Sequence, residues 1–151
     1  MTTELSTEEI LEYAISLERR SVALYTDLAS TARNDAMRKV FLGFAEEEMG
    51  HRKKLEDVLD GELKLGADVE VADMKISDYA VDVVLDASSS YQDILLFAMQ
   101  QEQQAYRLYT DLSQRVSEPQ FKALFVALAR EEAKHRNRFE LEYDEHVLTE
   151  N

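Results

Sequence analysis

The sequence EEMGH occupies residues 47–51, and a close copy, EEAKH, occupies residues 131–135. The two copies are 84 residues apart, and each has a glutamate and a histidine three positions from one another. These pairs are Glu48 with His51 and Glu132 with His135. Residues three apart on an α-helix lie on the same face. Each copy therefore presents a carboxylate and an imidazole to one side of a helix.

The 84-residue offset extends well beyond these two motifs. The sequence LYTDL at residues 24–28 recurs at residues 108–112, and Glu18 corresponds to Glu102. Such internal similarity indicates that the chain consists of two copies of one helical hairpin. We expect the two copies to pack around a pseudo-two-fold axis, near which equivalent residues come together in pairs.

Four helices are predicted from apolar periodicity and from capping residues. Their predicted ranges are 7–31, 35–60, 91–116 and 118–146. The predicted caps are Ser6 with Glu9, Asn34, Ser90 with Asp93 and Ser117 with Gln120, and Gly61 follows the second helix. Pro119 falls in the first turn of the fourth helix, where its missing N–H removes no hydrogen bond.

Short connections join the first two helices and the last two, so each pair is predicted to form an antiparallel hairpin. The segment 61–89 between the hairpins is long enough to run back along a helix of about 37 Å. One long crossover is the connectivity of ferritin-like bundles. We therefore predict an all-α, antiparallel four-helix bundle that forms a single domain over residues 1–151, with a short helix near residues 71–79 of the crossover. The predicted hairpins are 6–60 and 90–146.

Four glutamates are predicted to lie inside the bundle, because apolar residues surround each of them on the helical wheel. They are Glu18, Glu48, Glu102 and Glu132. An isolated buried carboxylate is destabilising, and four close together would also repel one another. Protonation would relieve part of this repulsion. Two divalent cations would balance the four charges, and His51 and His135 could each offer a neutral nitrogen to one cation.

Composition excludes several classes of function. The chain has 151 residues, no cysteine and a formal net charge of −14. Zinc–thiolate sites, cysteine-ligated iron–sulfur clusters and thiol nucleophiles are therefore excluded. The negative charge argues against nucleic acid and anionic membranes as partners. We also find no apolar run of membrane-spanning length and no signal-peptide core, so we expect a cytoplasmic protein that does not bind membranes.

The motifs resemble those of the ferritin-like superfamily and, within it, the rubrerythrins. The resemblance covers nearly the whole chain. It rests on the two Glu-x-x-His motifs and on Glu18 and Glu102, each of which is followed by a tyrosine seven residues later. It implies two metal ions, with Glu48 and Glu132 bridging both. The other implied ligands are Glu18 with His51 on one metal and Glu102 with His135 on the other, and Tyr25 and Tyr109 are implied to hydrogen-bond ligand carboxylates.

The resemblance also implies a function. A di-iron site of this kind would react with hydrogen peroxide or O2 and take up Fe(II), as a peroxidase or ferroxidase in oxidative stress or iron handling. Ala105 stands where rubrerythrins carry a second carboxylate on the third helix. Most rubrerythrins also have a cysteine-ligated iron domain that delivers electrons, so this chain would need a separate electron donor such as rubredoxin. No fifth helix follows Asn151, and we expect a homodimer rather than a large cage.

Several alternatives remain open at this stage. The ligand types suit manganese and zinc as well as iron. The site could serve iron binding or storage, or hold a structural metal without turnover. Tyr25 and Tyr109 could be ordinary core residues. Glu47 and Glu131 could be solvated side chains or could contact the ligands.

Overall fold

Residues 6–61 and 71–150, the part of the chain that the computed structural model describes, form four long helices and one short 3-10 helix. The helices are α1 (Thr7–Ser30), α2 (Asp35–Leu59), α3 (Tyr91–Arg115) and α4 (Pro119–Glu150), and the 3-10 helix is Ile76–Tyr79. The predicted all-α four-helix bundle is confirmed. None of the described helices has the length and apolar content that a membrane crossing requires.

The first three helices begin where their capping residues predict. The Ser6 hydroxyl accepts a hydrogen bond from the Glu9 N–H at 3.1 Å, and the Glu9 carboxylate accepts one from the Ser6 N–H at 3.2 Å. Ser90 and Asp93 form the same reciprocal pair ahead of α3. Asn34 accepts from the Met37 N–H at 2.9 Å. These bonds satisfy donors that the first turn of a helix leaves without a partner.

The ends of α2 and α4 complete the comparison with the predicted boundaries. Gly61 follows α2 with a φ of 86°, a left-handed conformation that favours glycine. Helix α4 begins at Pro119, one residue after the predicted start, and the Glu118 carbonyl accepts a hydrogen bond from the Lys122 N–H at 3.0 Å. Proline suits the first helical position because its φ is already helical, which explains this shift. Helix α4 also extends to Glu150, beyond the predicted end at residue 146.

Helix α1 packs along α2, and helix α3 packs along α4. Between hairpins, α1 and α3 approach each other more closely than α2 and α4 do. The latter two helices meet through long side chains, for example where the Phe41 and Phe139 rings stack with centroids 5.8 Å apart. The side of the bundle between α2 and α4 is therefore the more open one.

Two separate apolar clusters fill the bundle. Core A includes Leu11, Leu55, Leu108, Tyr109 and Phe125. Core B includes Tyr25, Leu28, Phe41, Leu95 and Phe139. The 84-residue offset converts one cluster into the other, since Leu11 corresponds to Leu95 and Phe41 corresponds to Phe125. The pseudo-two-fold axis thus runs across the bundle between the two cores, and the predicted repeat has a physical counterpart at each end.

The crossover covers core A. Val71, Met74 and Tyr79 are buried in that cluster, and the Tyr79 hydroxyl donates to Asp111 Oδ2 at 2.5 Å. The short helix predicted near residues 71–79 is only partly present, because Lys75 has an extended backbone and restricts the helical turn to Ile76–Tyr79. Residues 62–70 of the crossover lie outside the described part of the chain.

Val84 of the crossover is 84% exposed. Val83 and Leu85 line a cavity against α1 and α3. Successive side chains of an extended segment point to opposite sides. Val84 therefore faces solvent when its two neighbours face the bundle.

The far end of core B is closed by polar groups. Glu142 is fully buried, and its carboxylate accepts hydrogen bonds from Arg33 at 2.7 Å and from the Tyr91 hydroxyl at 2.8 Å. The residue equivalent to Glu142 in the first hairpin is Val58, which is buried in core A. The two ends of the bundle therefore share a pattern of apolar residues but are closed by different chemistry.

Candidate metal centre

A layer of six polar side chains separates core A from core B. All six are the residues predicted as metal ligands, and each is at most 5% exposed. Helices α1 and α3 contribute one glutamate each, and α2 and α4 each contribute a glutamate and a histidine one turn apart. They are Glu18, Glu48, His51, Glu102, Glu132 and His135. Because the apolar stripe of every helix faces the bundle axis, each of these positions is directed into the interior.

The six side chains form two overlapping groups. In each group, one ligand atom from each residue lies within 4.8 Å of the others. The groups are Glu18, Glu48, His51 and Glu132, and Glu48, Glu102, Glu132 and His135. Glu48 and Glu132 belong to both, and they are equivalent residues in the repeat. This arrangement offers two adjacent metal positions that share two carboxylates.

Each histidine approaches a shared carboxylate from the other hairpin. His51 Nδ1 lies 3.0 Å from Glu132 Oε1 and 3.8 Å from Glu18 Oε2. His135 Nδ1 lies 2.7 Å from Glu48 Oε1 and 3.8 Å from Glu102 Oε2. The two halves of the centre thus have closely similar geometry, as the repeat predicts.

The hydrogen-bonding of the layer is incomplete, which tests whether the residues suit metal ions. Glu48 Oε1 contacts His135 Nδ1, but Glu48 Oε2, both oxygens of Glu102, and one oxygen each of Glu18 and Glu132 are buried without a hydrogen-bond partner among the described residues. Buried carboxylate oxygens are normally hydrogen-bonded, because their desolvation is otherwise uncompensated. Oxygen and imidazole ligands in this number and spacing fit two divalent cations, which would bind these free lone pairs.

The electrostatics of the metal-free layer reflect the same crowding. Burial raises the pKa of Glu102 well above its usual range, and the neighbouring charge of Glu132 adds to this effect. Burial and Glu48 likewise raise the pKa of Glu132. Burial by itself lowers the pKa of His51, but the carboxylates of Glu132 and Glu48 raise it to about 10. The pKa of His135 is raised in the same way, because Glu48 and Glu132 outweigh its burial. Protons therefore take over part of the charge balance that cations would provide.

The two predicted outer tyrosines behave differently. The Tyr109 hydroxyl donates a short hydrogen bond to Glu18 Oε1, and burial raises the pKa of Tyr109 well above its usual range. The Tyr25 hydroxyl is also buried but has no hydrogen-bond partner among the described residues. Its ring packs edge-on against His135, with centroids 6.2 Å apart. The structure thus brings Tyr109 to a candidate ligand and places Tyr25 in the core beside one.

Glu47 lies closer to the centre than its sequence position alone indicates. Its carboxylate makes a short contact with His135 Nε2, although its side chain is 48% exposed. Glu131, the equivalent residue in the second hairpin, groups with Glu47 and His135 as a third set of nearby ligand atoms. The sequence signal for this contact was the glutamate that directly precedes each Glu-x-x-His motif. A helical wheel could not show whether these glutamates are solvated or contact the ligands, because they lie at the edge of the apolar stripe.

A polar pair of the layer was missed by the sequence analysis. Gln101 and Ser21 are both buried, and the Gln101 amide donates to the Ser21 hydroxyl at 3.2 Å. The pair links α1 to α3 on the side of the layer opposite Glu47. Gln101 directly precedes the candidate ligand Glu102, and Ser21 lies one helical turn after Glu18. This proximity to candidate ligands is the sequence signal that could have identified the pair.

Comparison with known proteins is consistent with this geometry. The sequence model of the rubrerythrin family matches residues 9–143. A solved structure from Thermotoga maritima, described as a candidate ferritin-like diiron-carboxylate protein, shares 20% identity, covers 97% of this chain and 99% of its own, and has a TM-score of 0.76. A hypothetical protein from Pyrococcus furiosus shares 24% identity over 93% of this chain and 89% of its own, with a TM-score of 0.72. No functionally curated protein matches the chain.

Proposed function

The chain belongs to the rubrerythrin family, and from this premise we propose that it is a non-haem di-iron oxidoreductase that reacts with hydrogen peroxide or O2. The observation that carries the proposal is the set of buried carboxylate oxygens without hydrogen-bond partners, arranged in two groups that share Glu48 and Glu132. A layer built only for stability would pair these oxygens or replace them with apolar atoms.

Each ligand has a defined role in this proposal. Glu48 and Glu132 would be ligands of both metals, since each belongs to both groups. Glu18 and His51 would hold one metal, and Glu102 and His135 would hold the other. Iron, when bound, supplies the two electrons that reduce an oxidant. Carboxylate and imidazole ligands are compatible with that choice and also with manganese.

The surrounding residues orient the ligands and exclude water. The hydrogen bond from Tyr109 fixes one oxygen of Glu18 and leaves the other directed toward the centre. Hydrogen bonds from neighbouring residues hold a ligand in one orientation and tune its donor strength. All six ligand side chains are at most 5% exposed, so an oxidant that reaches them must be small. Peroxide and O2 meet this requirement.

The first test is an anaerobic Fe(II) titration of the metal-free protein, followed by exposure to each oxidant. We expect two irons per chain, and a diferrous form that reacts faster with peroxide than with O2 if it is a peroxidase. The variant Glu48→Ala/Glu132→Ala should lose stoichiometric binding, because it removes both bridging ligands.

Other outcomes would point elsewhere. Uptake of many irons per chain would indicate iron storage. A tightly held metal that keeps its oxidation state and does not react with either oxidant would indicate a structural role. Absence of stoichiometric binding, or binding that the double variant does not affect, would refute the di-iron proposal. Reaction with O2 that is as fast as reaction with peroxide would favour ferroxidase chemistry over peroxidase chemistry.

A further inference from the structure

The polar layer is approached from the protein surface on one side of the bundle, between α2 and α4. A cavity of about 360 Å³ lies there. Its lining includes Glu47, Gly50, Lys54, Ala127 and Glu131, and it reaches the buried His51. Gly50 and Ala127 present little or no side chain, so the passage between the two helices is not blocked at these positions. This opening connects the surface of the protein with the candidate metal centre.

Three ligand-type side chains meet beside this opening. Ligand atoms of Glu47, Glu131 and His135 all lie within 4.8 Å of one another. The side chains of Glu47 and Glu131 are 48% and 36% exposed, whereas that of His135 is 1% exposed. Glu47 and Glu131 are equivalent residues in the repeat, and they come together near the pseudo-two-fold axis. The group therefore combines two partly exposed carboxylates with one buried imidazole.

His135 connects this outer group with the buried layer. Its Nε2 contacts the Glu47 carboxylate, and its Nδ1 lies 2.7 Å from Glu48 Oε1. The second oxygen of Glu48, Oε2, has no hydrogen-bond partner among the described residues. One imidazole ring thus faces a partly exposed carboxylate on one side and an unsatisfied buried carboxylate on the other. A cation held by the outer group would lie next to free ligand atoms of the inner one.

The opposite side of the layer has different chemistry. A cavity of about 650 Å³ lies between α1, α3 and the crossover, and its lining is mostly apolar, with Leu17, Val83 and Phe97 among its residues. Arg20 is the charged residue in that lining. That lining offers a hydrated cation no carboxylate, whereas the cavity between α2 and α4 offers two carboxylates against one lysine. Of these two cavities, only the one between α2 and α4 is suited to a divalent cation.

We propose that Glu47, Glu131 and His135 form an outer cation site through which divalent metals reach the buried centre. This inference rests on the proposed function, because it assumes that the centre binds metal. A metal ion would exchange part of its hydration water for carboxylate oxygens at the outer site. It would lose the rest when it reaches the buried centre. The net charge of −14 concentrates cations near the protein, and the paired glutamates direct them to one opening.

A simpler role for Glu47 makes different predictions. If Glu47 only orients His135 by accepting a hydrogen bond, its loss should weaken metal binding at equilibrium. Glu131 should then have no effect, because it pairs with Lys134 at 3.9 Å rather than with the imidazole. An outer site predicts instead that both glutamates affect the rate of metal loading and that neither determines the final stoichiometry.

The test is stopped-flow loading of the metal-free, full-length protein with Co(II), followed by its absorbance, and release of Co(II) to a chelator. We expect Glu47→Gln/Glu131→Gln to load about tenfold more slowly at low salt. Release should slow by a similar factor, so that two Co(II) still bind with unchanged affinity. Each single variant should show part of the effect. The matched control is Glu46→Gln/Glu140→Gln, which removes two exposed carboxylates from the same helices and should load like the wild type.

Four outcomes would overturn the inference while leaving the proposed function intact. The first three are an unchanged loading rate in the double variant, an effect confined to Glu47→Gln, and a loss of affinity without slower loading. An equal effect in the control would also overturn it, because net charge alone would then explain the rate. Failure of the wild type to bind two Co(II) at equilibrium would refute the proposed function together with this inference.

Discussion

The two ends of the bundle are related by the internal repeat, yet they are closed in different ways. Core A is covered by Val71, Met74 and Tyr79 of the crossover. The end beyond core B is closed by Glu142, which is bound by Arg33 and Tyr91. The metal layer between them is nearly symmetric. The two hairpins are therefore similar at the ligand positions, where four helices supply equivalent side chains. They differ at the residues that close the two ends of the bundle.

The first way to examine this comparison is to create a cavity at each end. Phe41 in core B and Phe125 in core A are equivalent residues, and both are fully buried. Phe41→Ala and Phe125→Ala should each destabilise the metal-free protein by about 3–5 kcal/mol. The measurement is urea unfolding followed by circular dichroism. Similar losses would show that the two ends are energetically equivalent, and a loss confined to one variant would contradict this.

The second prediction concerns the polar closure beyond core B. Arg33→Ala should cost about 3 kcal/mol, because the buried Glu142 carboxylate would lose its cationic partner. The control is Arg38→Ala, since the ion pair of Arg38 with Asp35 at 3.1 Å is exposed to solvent. That pair should contribute less than about 1 kcal/mol. Equal losses in the two variants would mean that burial of Glu142 is not what makes the pair matter.

A second variant places at the core B end the apolar residue that occupies the equivalent position at the core A end. Glu142→Val introduces the residue that occupies the equivalent position, Val58. It should be less destabilising than Arg33→Ala, because Arg33 is one-third exposed and can be solvated after its partner is removed. If Glu142→Val destabilised the protein more than Arg33→Ala, the Glu142 carboxylate itself would be required for stable packing at this end of the bundle.

The third prediction concerns the two halves of the metal layer and pH. At pH 7 His51, with a pKa of about 10, carries a proton in the metal-free protein, and the pKa of His135 is also raised. Metal binding requires neutral imidazole, so loading should release a proton from each histidine. Affinity should therefore rise about tenfold per pH unit for each proton released, from pH 6 upward. Zn(II) addition to weakly buffered protein with a pH indicator measures this release. Loading without proton release at pH 7 would contradict the raised pKa values.

The smallest expected effect distinguishes the two tyrosines. Tyr109→Phe removes a hydrogen bond to Glu18 and should lower metal affinity about tenfold or more. Tyr25→Phe removes a buried hydroxyl that has no partner among the described residues, so it should change stability by less than about 1 kcal/mol and leave affinity unaltered. Competition with a chelating dye measures the affinity. Equal effects of the two substitutions would show that the halves are alike in this respect.

The sequence predicted what depends on local pattern. Periodicity and the caps Ser6, Asn34 and Ser90 located the helices, and the repeat identified all six polar residues that the structure brings into one layer. Those features depend on neighbours along one helix or on the symmetry of two equivalent hairpins.

Features that depend on contacts between distant segments were not predicted. The pairing of Arg33 with Glu142 joins residues from different hairpins, and no pattern along either helix indicates it. The inequality of Tyr25 and Tyr109 arises from side-chain positions that differ between otherwise equivalent helices. The exposure of Val84 depends on how an irregular segment meets the bundle surface. Each of these outcomes is decided by packing in three dimensions.

The position of the polar layer between two separate cores has a consequence for folding. Each core contains residues from both hairpins, but the layer between them adds little apolar burial to connect the two. Without metal, the ends of the bundle are joined across a region of crowded charges and shared protons. Two cations bridging all four helices would join the ends into one cooperative unit. Metal loading would then raise the midpoint of the thermal unfolding transition and make the transition sharper. The metal centre would make core A and core B unfold together.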